Sequence, residues 1–259
     1  MKKTIELLKE LGYNEKNITK IIESNLDSFK DDTLFYQIKK VYILLITLGY
    51  SNKEIIQMTK THPVIYGLSI YNFKQKIEDM IALGYTKEDV IKMAKYAPSI
   101  YTLNINNIKN KIEDMMLLGF TEKEVIEICK GYPPIFTHKI ETIKNKIVDI
   151  ISLGYTKEEV FYMIITLPSI LGLSIENIGS KVEFYNSIGL REMIIKDPRK
   201  LIQSVELSYL RYEYYTKECD MDIDMYNYNI LFVNSKYFEK RFGVNKKQLA
   251  KKYIKEKKR

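Results

Sequence analysis

The sequence repeats itself with a period of 35 residues, and this restricts the chain to very few architectures. The dipeptide Leu-Gly recurs at Leu48-Gly49, Leu83-Gly84, Leu118-Gly119 and Leu153-Gly154. A proline follows each glycine by 14 positions, at Pro63, Pro98, Pro133 and Pro168. A unit of this size cannot bury its apolar face alone, so neighbouring units must stack on one another. The period therefore predicts an all-α helical-repeat solenoid, curved or right-handed.

Each unit is predicted to contain two α-helices separated by a 3₁₀ turn. In one unit, Thr86 is followed three positions later by Asp89, which approximates the capping box that starts a helix. Pro98 ends this helix, because proline lacks an N–H and disfavours helical backbone in the residue before it. Residues 99–101, Ser-Ile-Tyr, are apolar enough for a buried 3₁₀ turn and too few for an α-helix, and Asn104 is a plausible cap for the second helix.

The second helix of each unit carries an apolar stripe. In one copy the apolar positions are Ile70, Phe73, Ile77, Met80 and Ile81. In the next copy they are Ile105, Ile108, Ile112, Met115 and Met116. These offsets follow one face of a helix with 3.6 residues per turn, so the whole set is predicted to be buried. The glycine after each stripe is predicted to close the helix with φ above zero.

Both ends of the chain depart from the repeat, as expected for caps of a solenoid. We predict a degenerate N-terminal capping repeat over residues 1–48, four repeats over 49–188, and a shortened repeat with a helical cap over 189–259. In the last segment, residues 205–218 are predicted to form a helix and residues 220–233 a turn or irregular stretch. Two further helices are predicted to begin near Asn234 and at Asn245, the latter with Gln248 at the capping-box position.

The net positive charge of the chain is concentrated in its last 24 residues. From Lys236 to Arg259 there are eleven basic and two acidic side chains, whereas the other 235 residues carry 30 basic and 31 acidic ones. A basic helix at a chain end attracts phosphates through charge neutralisation and counterion release. The candidate contacts to nucleic acid are Lys240, Arg241, Lys246, Lys247, Lys251, Lys252 and Lys255. The alternative is a solubilising, partly frayed terminus.

A second group of lysines recurs inside the array. Lys76, Lys111, Lys146 and Lys181 occupy one position of the second helix, and Lys74, Lys109 and Lys144 lie two residues before the first three. Stacked units would align the first column as a ladder of cations able to follow a nucleic-acid backbone. The favoured interpretation is a solvated face, because acidic residues lie three or four positions after these lysines and such pairs stabilise exposed helices. Lysines that close first helices, such as Lys95 and Lys130, are explained by the helix dipole.

No pattern of residues points to catalysis or to a bound metal. His62 and His138 are the only histidines, have no cysteine or glutamate at metal-ligand spacing, and are expected at the surface. Asp220 begins an aspartate series resembling a calcium loop, but Met225 replaces the required glycine. There is no glycine-rich phosphate loop or nucleophile elbow. We therefore expect no enzymatic activity, no metal and no cofactor.

The repeat resembles that of the mitochondrial transcription termination factor (mTERF) family. The resemblance rests on Leu-Gly, a following aromatic residue, a capped helix, a proline 14 positions after the glycine, an apolar turn and a helix that ends at the next Leu-Gly. It covers 49–189 well and the flanks loosely. It implies units of two α-helices and one 3₁₀ turn, and nucleic-acid binding along a basic groove. The array is almost neutral and no targeting peptide is visible, so a bacterial or phage member of the family fits best.

Two classes of function remain open at this point. In the first, the protein binds duplex DNA or structured RNA through its curved surface and its basic tail. In the second, it is a scaffold that holds a protein partner in the superhelical groove. The 21 tyrosines suit either partner, since a ring with a hydroxyl can stack on bases or anchor a protein interface. Two cysteines far apart, no secretion signal and no membrane span predict a cytoplasmic protein. We also expect a monomer.

Overall fold

The computed structural model describes the backbone of residues 1–26 and 31–256. Within these residues there are fifteen α-helices and six 3₁₀ turns and no β-strand, which confirms the all-α helical-repeat class. The helices are α1 (Lys2–Glu10), α2 (Glu15–Glu23), α3 (Asp31–Thr47), α4 (Asn52–Thr61), α5 (Ile70–Ala82), α6 (Lys87–Tyr96), α7 (Ile105–Leu118), α8 (Glu122–Gly131), α9 (Ile140–Ser152), α10 (Lys157–Thr166), α11 (Ile175–Ser187), α12 (Arg191–Lys196), α13 (Val205–Glu218), α14 (Ser235–Phe242) and α15 (Lys246–Glu256). The 3₁₀ turns are η1 (Pro63–Gly67), η2 (Pro98–Tyr101), η3 (Pro133–Thr137), η4 (Pro168–Gly172), η5 (Pro198–Ile202) and η6 (Tyr228–Phe232).

The chain divides into two compact units, Met1–Ile140 and Glu141–Arg259. In the first unit α2, α4, α6 and α8 pack one on the next, and α3, α5 and α7 form a second row in the same order. In the second unit α10 packs on α12, α11 on α13, and α13 on α15. The limits 1–48, 49–188 and 189–259 describe repetition in the sequence and stay a prediction.

Local sequence explains where the first helix of each repeat begins. Ser51, Thr86, Thr121 and Thr156 each cap their helix through a complete capping box. At Ser51 the hydroxyl accepts the Glu54 N–H at 3.3 Å, and the Ser51 N–H donates to the Glu54 carboxylate at 2.8 Å. Two backbone donors that the helix itself leaves without partners are satisfied in this way. The predicted helix starts are confirmed.

Proline ends these helices and sets the position of the 3₁₀ turn. The residue before each proline leaves the helical region, with φ between −143° and −133° at His62, Ala97, Tyr132 and Leu167. Four 3₁₀ turns begin at the four prolines, and their central isoleucines are fully buried. Ser69, Asn104 and Ser174 then cap the second helices, as predicted. After the second helix the chain turns at a glycine with φ of +92° at Gly84 and +115° at Gly119, a region where a Cβ is costly.

The buried face of the second helix differs from the predicted one. Phe73 and Met80 of α5 are fully buried, but Ile81 is 47% exposed, and its equivalent Met116 is 43% exposed. At 100° per residue the buried stripe is centred about 70° away from Ile70, on the side toward Lys76. The prediction was wrong for Ile81 and Met116. It counted apolar residues alone, which placed the centre of the buried stripe too far around the helix from Lys76.

Tyrosine hydroxyls bond successive repeats together in the first unit. The hydroxyl of Tyr50, just after the glycine that ends α3, lies 2.8 Å from the hydroxyl of Tyr101 in η2. It also donates to the Ile91 carbonyl at 3.0 Å. Tyr13 and Tyr66 make the corresponding contact one repeat earlier, at 2.9 Å. Tyr13 and Tyr50, each directly after a Leu-Gly, therefore pack into the core and satisfy their hydroxyl groups there.

After α13 the C-terminal segment contains a 3₁₀ turn followed by two helices, which the sequence only partly indicated. Helices were predicted near 205–218, 234 and 245, and α13, α14 and α15 confirm them. Residues 220–233, predicted as a turn or irregular stretch, contain η6 with a fully buried Leu231. No proline marks the start of this turn, so the sequence did not reveal it.

Candidate nucleic-acid interface

The repeated lysines of the second helices donate hydrogen bonds to the backbone of the next repeat. The Nζ atom of Lys76 bonds the carbonyl of Leu103 at 2.5 Å, and that of Lys111 bonds the carbonyl of His138 at 2.5 Å. In the second unit, Lys146 bonds the carbonyl of Leu173 at 2.7 Å. Lys181 bonds the carbonyl of Leu201 in the same way. Each acceptor lies in a 3₁₀ turn or within two residues after it, so these lysines join a helix to the following turn.

The solvated face predicted for these lysines is wrong. Lys76 and Lys111 are 8% exposed, Lys181 is 4% exposed, and Lys146 is half-buried. Burial lowers the pKa of Lys76, Lys111 and Lys181, because the charged ammonium loses solvation. The aliphatic stems pack among apolar neighbours while the ammonium groups reach carbonyl oxygens. Their donors are engaged inside the fold, so we do not carry these four residues forward as contacts to nucleic acid.

The column is longer than the sequence indicated. Arg211 stands seven positions after the cap Ser204, as Lys76 stands seven after Ser69, and its Nη1 atom bonds the Leu231 carbonyl at 2.8 Å. At the other end, the Gln37 side chain donates to the Leu68 carbonyl at 2.6 Å. The spacing from the cap was the signal that could have revealed Arg211.

The lysines two residues earlier in the helix lie at the surface. Lys74, Lys109 and Lys144 are exposed. Among the described residues, ion pairing in this column is confined to Lys144 and Glu141, at 3.8 Å. The predicted pairs of Lys74 with Glu78 and Lys109 with Glu113 do not form. This column, and not the Lys76 column, presents positive charge to solvent.

Lysines that close the first helices form ion pairs between repeats. Lys95 pairs with Glu54 of the preceding capping box at 2.7 Å, and Lys130 approaches Asp89 at 3.5 Å. The pKa of Glu54 is lowered to about 2 by Lys95 first and by the hydrogen bonds from Ser51 next. These cations are neutralised by neighbours, which goes beyond the helix-dipole explanation given by the sequence.

The basic C-terminal helices pack on α13. Phe238 of α14 and Leu249 and Tyr253 of α15 are buried. Phe238 contacts the rings of Tyr214 and Tyr215, with centroids 5.5 Å and 5.8 Å apart. Asn245 and Gln248 form the predicted reciprocal cap of α15, at 2.8 Å and 3.1 Å. The residues up to Tyr253 are therefore packed helices and not a frayed terminus.

The candidate cations of this tail differ in their contacts. Lys246 pairs with Glu206, and Lys252 pairs with Glu218, each at 2.5 Å. Arg241 is exposed and donates to the Tyr237 hydroxyl at 2.8 Å. The remaining candidates Lys240, Lys247 and Lys251 are exposed and have no ion-pair partner among the described residues. Lys255 belongs to α15, but its side chain lies outside the described residues.

The histidines are less exposed than expected from the sequence. His62 and His138 are both half-buried, and Nε2 of His62 lies 2.7 Å from the Thr102 hydroxyl. Burial lowers the pKa of both imidazoles. No group of three or more His, Cys, Asp or Glu side chains in the described part of the chain is arranged to hold a metal ion. None of the helices within 1–26 and 31–256 combines the length and apolar character needed to cross a bilayer.

Comparison with known proteins identifies one family. The model of the mTERF family matches residues 1–152 and, in an overlapping segment, residues 80–210. Together these segments cover most of the chain, including every Leu-Gly and proline of the repeat, and they confirm the resemblance noted in the sequence. A search of curated proteins gave no match.

Proposed function

Because the chain belongs to the mTERF family of nucleic-acid-binding helical-repeat proteins, we propose that it binds the phosphate backbone of duplex DNA or structured RNA mainly through its C-terminal helices. The proposal rests on Lys240, Lys247 and Lys251, which are exposed and have no ion-pair partner among the described residues. They lie in a segment that carries eleven basic and two acidic side chains. Free ammonium groups on packed helices can neutralise phosphates without first giving up a protein partner.

Two further cations can join these lysines when a polyanion approaches. Lys246 and Lys252 are paired with glutamates of α13, but each keeps about half of its side chain exposed. Such surface pairs contribute little to stability, so exchanging a carboxylate for a phosphate costs little. We therefore propose that the three free lysines contribute most to the affinity for nucleic acid and that the two paired lysines contribute less.

The repeat array has a smaller part in this proposal. Outside the tail, the chain carries 30 basic and 31 acidic side chains, and several of its lysines are engaged in bonds between repeats. Lys74 and Lys109 remain exposed on the second helices of the first unit. They supply secondary contacts, weaker than those of the tail because the surrounding charge is balanced.

Salt-dependent binding of the full-length protein tests the proposal. Fluorescence anisotropy with duplex DNA, duplex RNA and single strands gives the slope of log K against log salt concentration. The triple variant K240Q/K247Q/K251Q removes three free cations and leaves the buried Phe238, Leu249 and Tyr253 in place. If all three lysines neutralise duplex phosphates, the slope becomes shallower by about 2.7, that is, by about 0.9 for each phosphate that no longer has its lysine.

A matched control removes the same charge elsewhere. Lys53, Lys87 and Lys123 are exposed lysines in the first turns of α4, α6 and α8, so K53Q/K87Q/K123Q should leave the slope nearly unchanged. Equal effects of the two triple variants would contradict a special role for the tail. Absence of binding by the wild-type protein near physiological salt would overturn the proposal and favour the protein-scaffold alternative.

A further inference from the structure

A cleft in the second compact unit lies where α13, α14 and α15 meet. Its lining includes Arg211, Ser235, Glu239, Asn245, Lys246 and Lys247. Three of these residues are basic and one is acidic. The cleft therefore combines a buried cation, a helix start and surface lysines in one place.

Arg211 is the unusual member of this set. The residue is 1% exposed, yet no carboxylate among the described residues pairs with it. Its Nη1 atom donates to the Leu231 carbonyl at 2.8 Å, and its Nη2 atom reaches the Ser235 hydroxyl at 3.4 Å. The Nε atom is buried and has no hydrogen-bond partner in the part of the chain that the structure describes. A buried donor without a partner is costly, and more so when it carries charge, so an additional acceptor is expected there.

The earlier repeats show that the carbonyl contact alone does not require arginine. The same position is lysine in four successive repeats, and each lysine makes the equivalent bond with a single ammonium. Arginine adds a planar fork of five donors, which matches the geometry of carboxylate or phosphate oxygens. The fifth repeat therefore has donor capacity that the stacking contact does not use.

The start of α15 supplies further donors on the same cleft. This helix has 11 residues, and the backbone N–H groups of Lys246 and Lys247 precede its first internal hydrogen bonds. The positive end of the helix dipole favours an anion at this point. The Lys247 ammonium is exposed and unpaired among the described residues, whereas Lys246 pairs with Glu206.

We propose that this cleft binds one phosphate group through Arg211, Lys247 and the first backbone N–H groups of α15. A tetrahedral oxyanion can accept from a guanidinium edge, an ammonium and helix N–H groups together. Glu239 is the one acidic residue of the lining, against Arg211, Lys246 and Lys247, so positive charge prevails at the site and favours a single anion. The inference concerns the phosphate itself and goes beyond the proposed function, because free phosphate and a nucleic acid both present this chemistry.

Calorimetric titration of the full-length protein with inorganic phosphate, against chloride at matched ionic strength, tests the site. The variant R211K places at this position the residue used by the four preceding repeats, so it keeps the bond to Leu231 and removes the Nε donor. The variant K247Q removes an exposed charge without touching the core. Each is expected to weaken phosphate binding by about tenfold or more, the loss of one charge-assisted hydrogen bond.

A matched control is K123Q. Lys123 is an exposed lysine and the second residue of α8, just as Lys247 is the second residue of α15. The K123Q variant should bind phosphate as the wild type does. Circular dichroism establishes that R211K is folded, and K247Q tests the site independently of that variant. Wild-type protein that does not prefer phosphate to chloride, or a K247Q variant that binds phosphate unchanged, would overturn the proposal.

Oligonucleotides then identify the carrier of the phosphate group. A duplex with 5′-phosphates that displaces inorganic phosphate better than the same duplex with 5′-hydroxyls identifies a terminal phosphate as the natural group. Equal displacement by both duplexes identifies a backbone phosphate. Displacement by neither duplex identifies free phosphate as the ligand, and this result supports the site even if the tail binds no nucleic acid.

Discussion

The buried lysine column gives the sharpest test of how the repeats are held together. Replacing Lys111 by methionine keeps an unbranched side chain of similar length and removes the ammonium that bonds the His138 carbonyl at 2.5 Å. The carbonyl then loses its charged donor. We expect Lys111→Met to destabilise the protein although it removes a charge that burial disfavours.

The magnitude follows from two opposing effects. A hydrogen bond from a charged donor contributes about 1.5–3 kcal/mol, and its loss leaves the carbonyl without that partner. Removing the ammonium also relieves part of the cost of burying a charge at a residue that is 8% exposed. The relief is partial because the end of the side chain still reaches polar backbone. We therefore expect a net loss of about 1–2 kcal/mol in the free energy of unfolding.

Urea unfolding followed by circular dichroism measures this difference. The matched control is Lys109→Met, which makes the same chemical change two residues earlier on α7, where the side chain is exposed. The control should change stability by no more than about 0.5 kcal/mol. If the two variants are equally stable, the bond to His138 does not contribute to the fold and the structural role assigned to this column is wrong.

Three further predictions concern backbone geometry and titration. Gly49→Ala should lower the free energy of unfolding, measured in urea, by about 1–2 kcal/mol, because φ at this residue is +93°. The cost comes from the backbone alone, since no described atom lies within 4 Å of the added Cβ. An unchanged stability would contradict the left-handed turn. The pKa of Glu54 is lowered from 4.5 to about 2. The ionised carboxylate therefore contributes stability above pH 4.5, and this stability is lost as the pH falls toward 2. In Glu54→Gln the thermal-unfolding midpoint should decline less steeply with falling pH over that acid range than it does in the wild type. An equally steep decline would argue against the pair with Lys95. Burial raises the pKa of Tyr101 from 10.0 to about 12. The protonated hydroxyl therefore contributes its full stability to the fold below pH 10, and this stability is lost as the pH rises through 12. In the same assay, Tyr101→Phe should therefore lose less stability at alkaline pH than the wild type. An unaltered slope of the unfolding midpoint against pH would show that the pKa of this hydroxyl does not change on unfolding.

The candidate site was only partly predictable from the sequence. The excess of positive charge after Lys236 is visible by counting, and it leads directly to Lys240, Lys247 and Lys251. Counting does not separate these from Lys246 and Lys252, because their acidic partners Glu206 and Glu218 lie 34 or more residues earlier in the chain. Nor does it reveal Arg211, which lies outside the basic segment and lines the cleft only because α14 and α15 pack on α13.

The sequence by itself determined the features that arise within one repeat. Capping boxes, the helix end before each proline, the 3₁₀ turn and the positive φ of the glycines depend on residues a few positions apart, so their spacing was sufficient to predict them. The tertiary structure decided which face of each second helix is buried. That choice depends on carbonyl groups about 27 residues away, which turn Lys76 and Lys111 inward and leave Ile81 half exposed. A cation column that a linear pattern assigns to solvent therefore joins the repeats, because the next repeat supplies acceptors that water would otherwise provide.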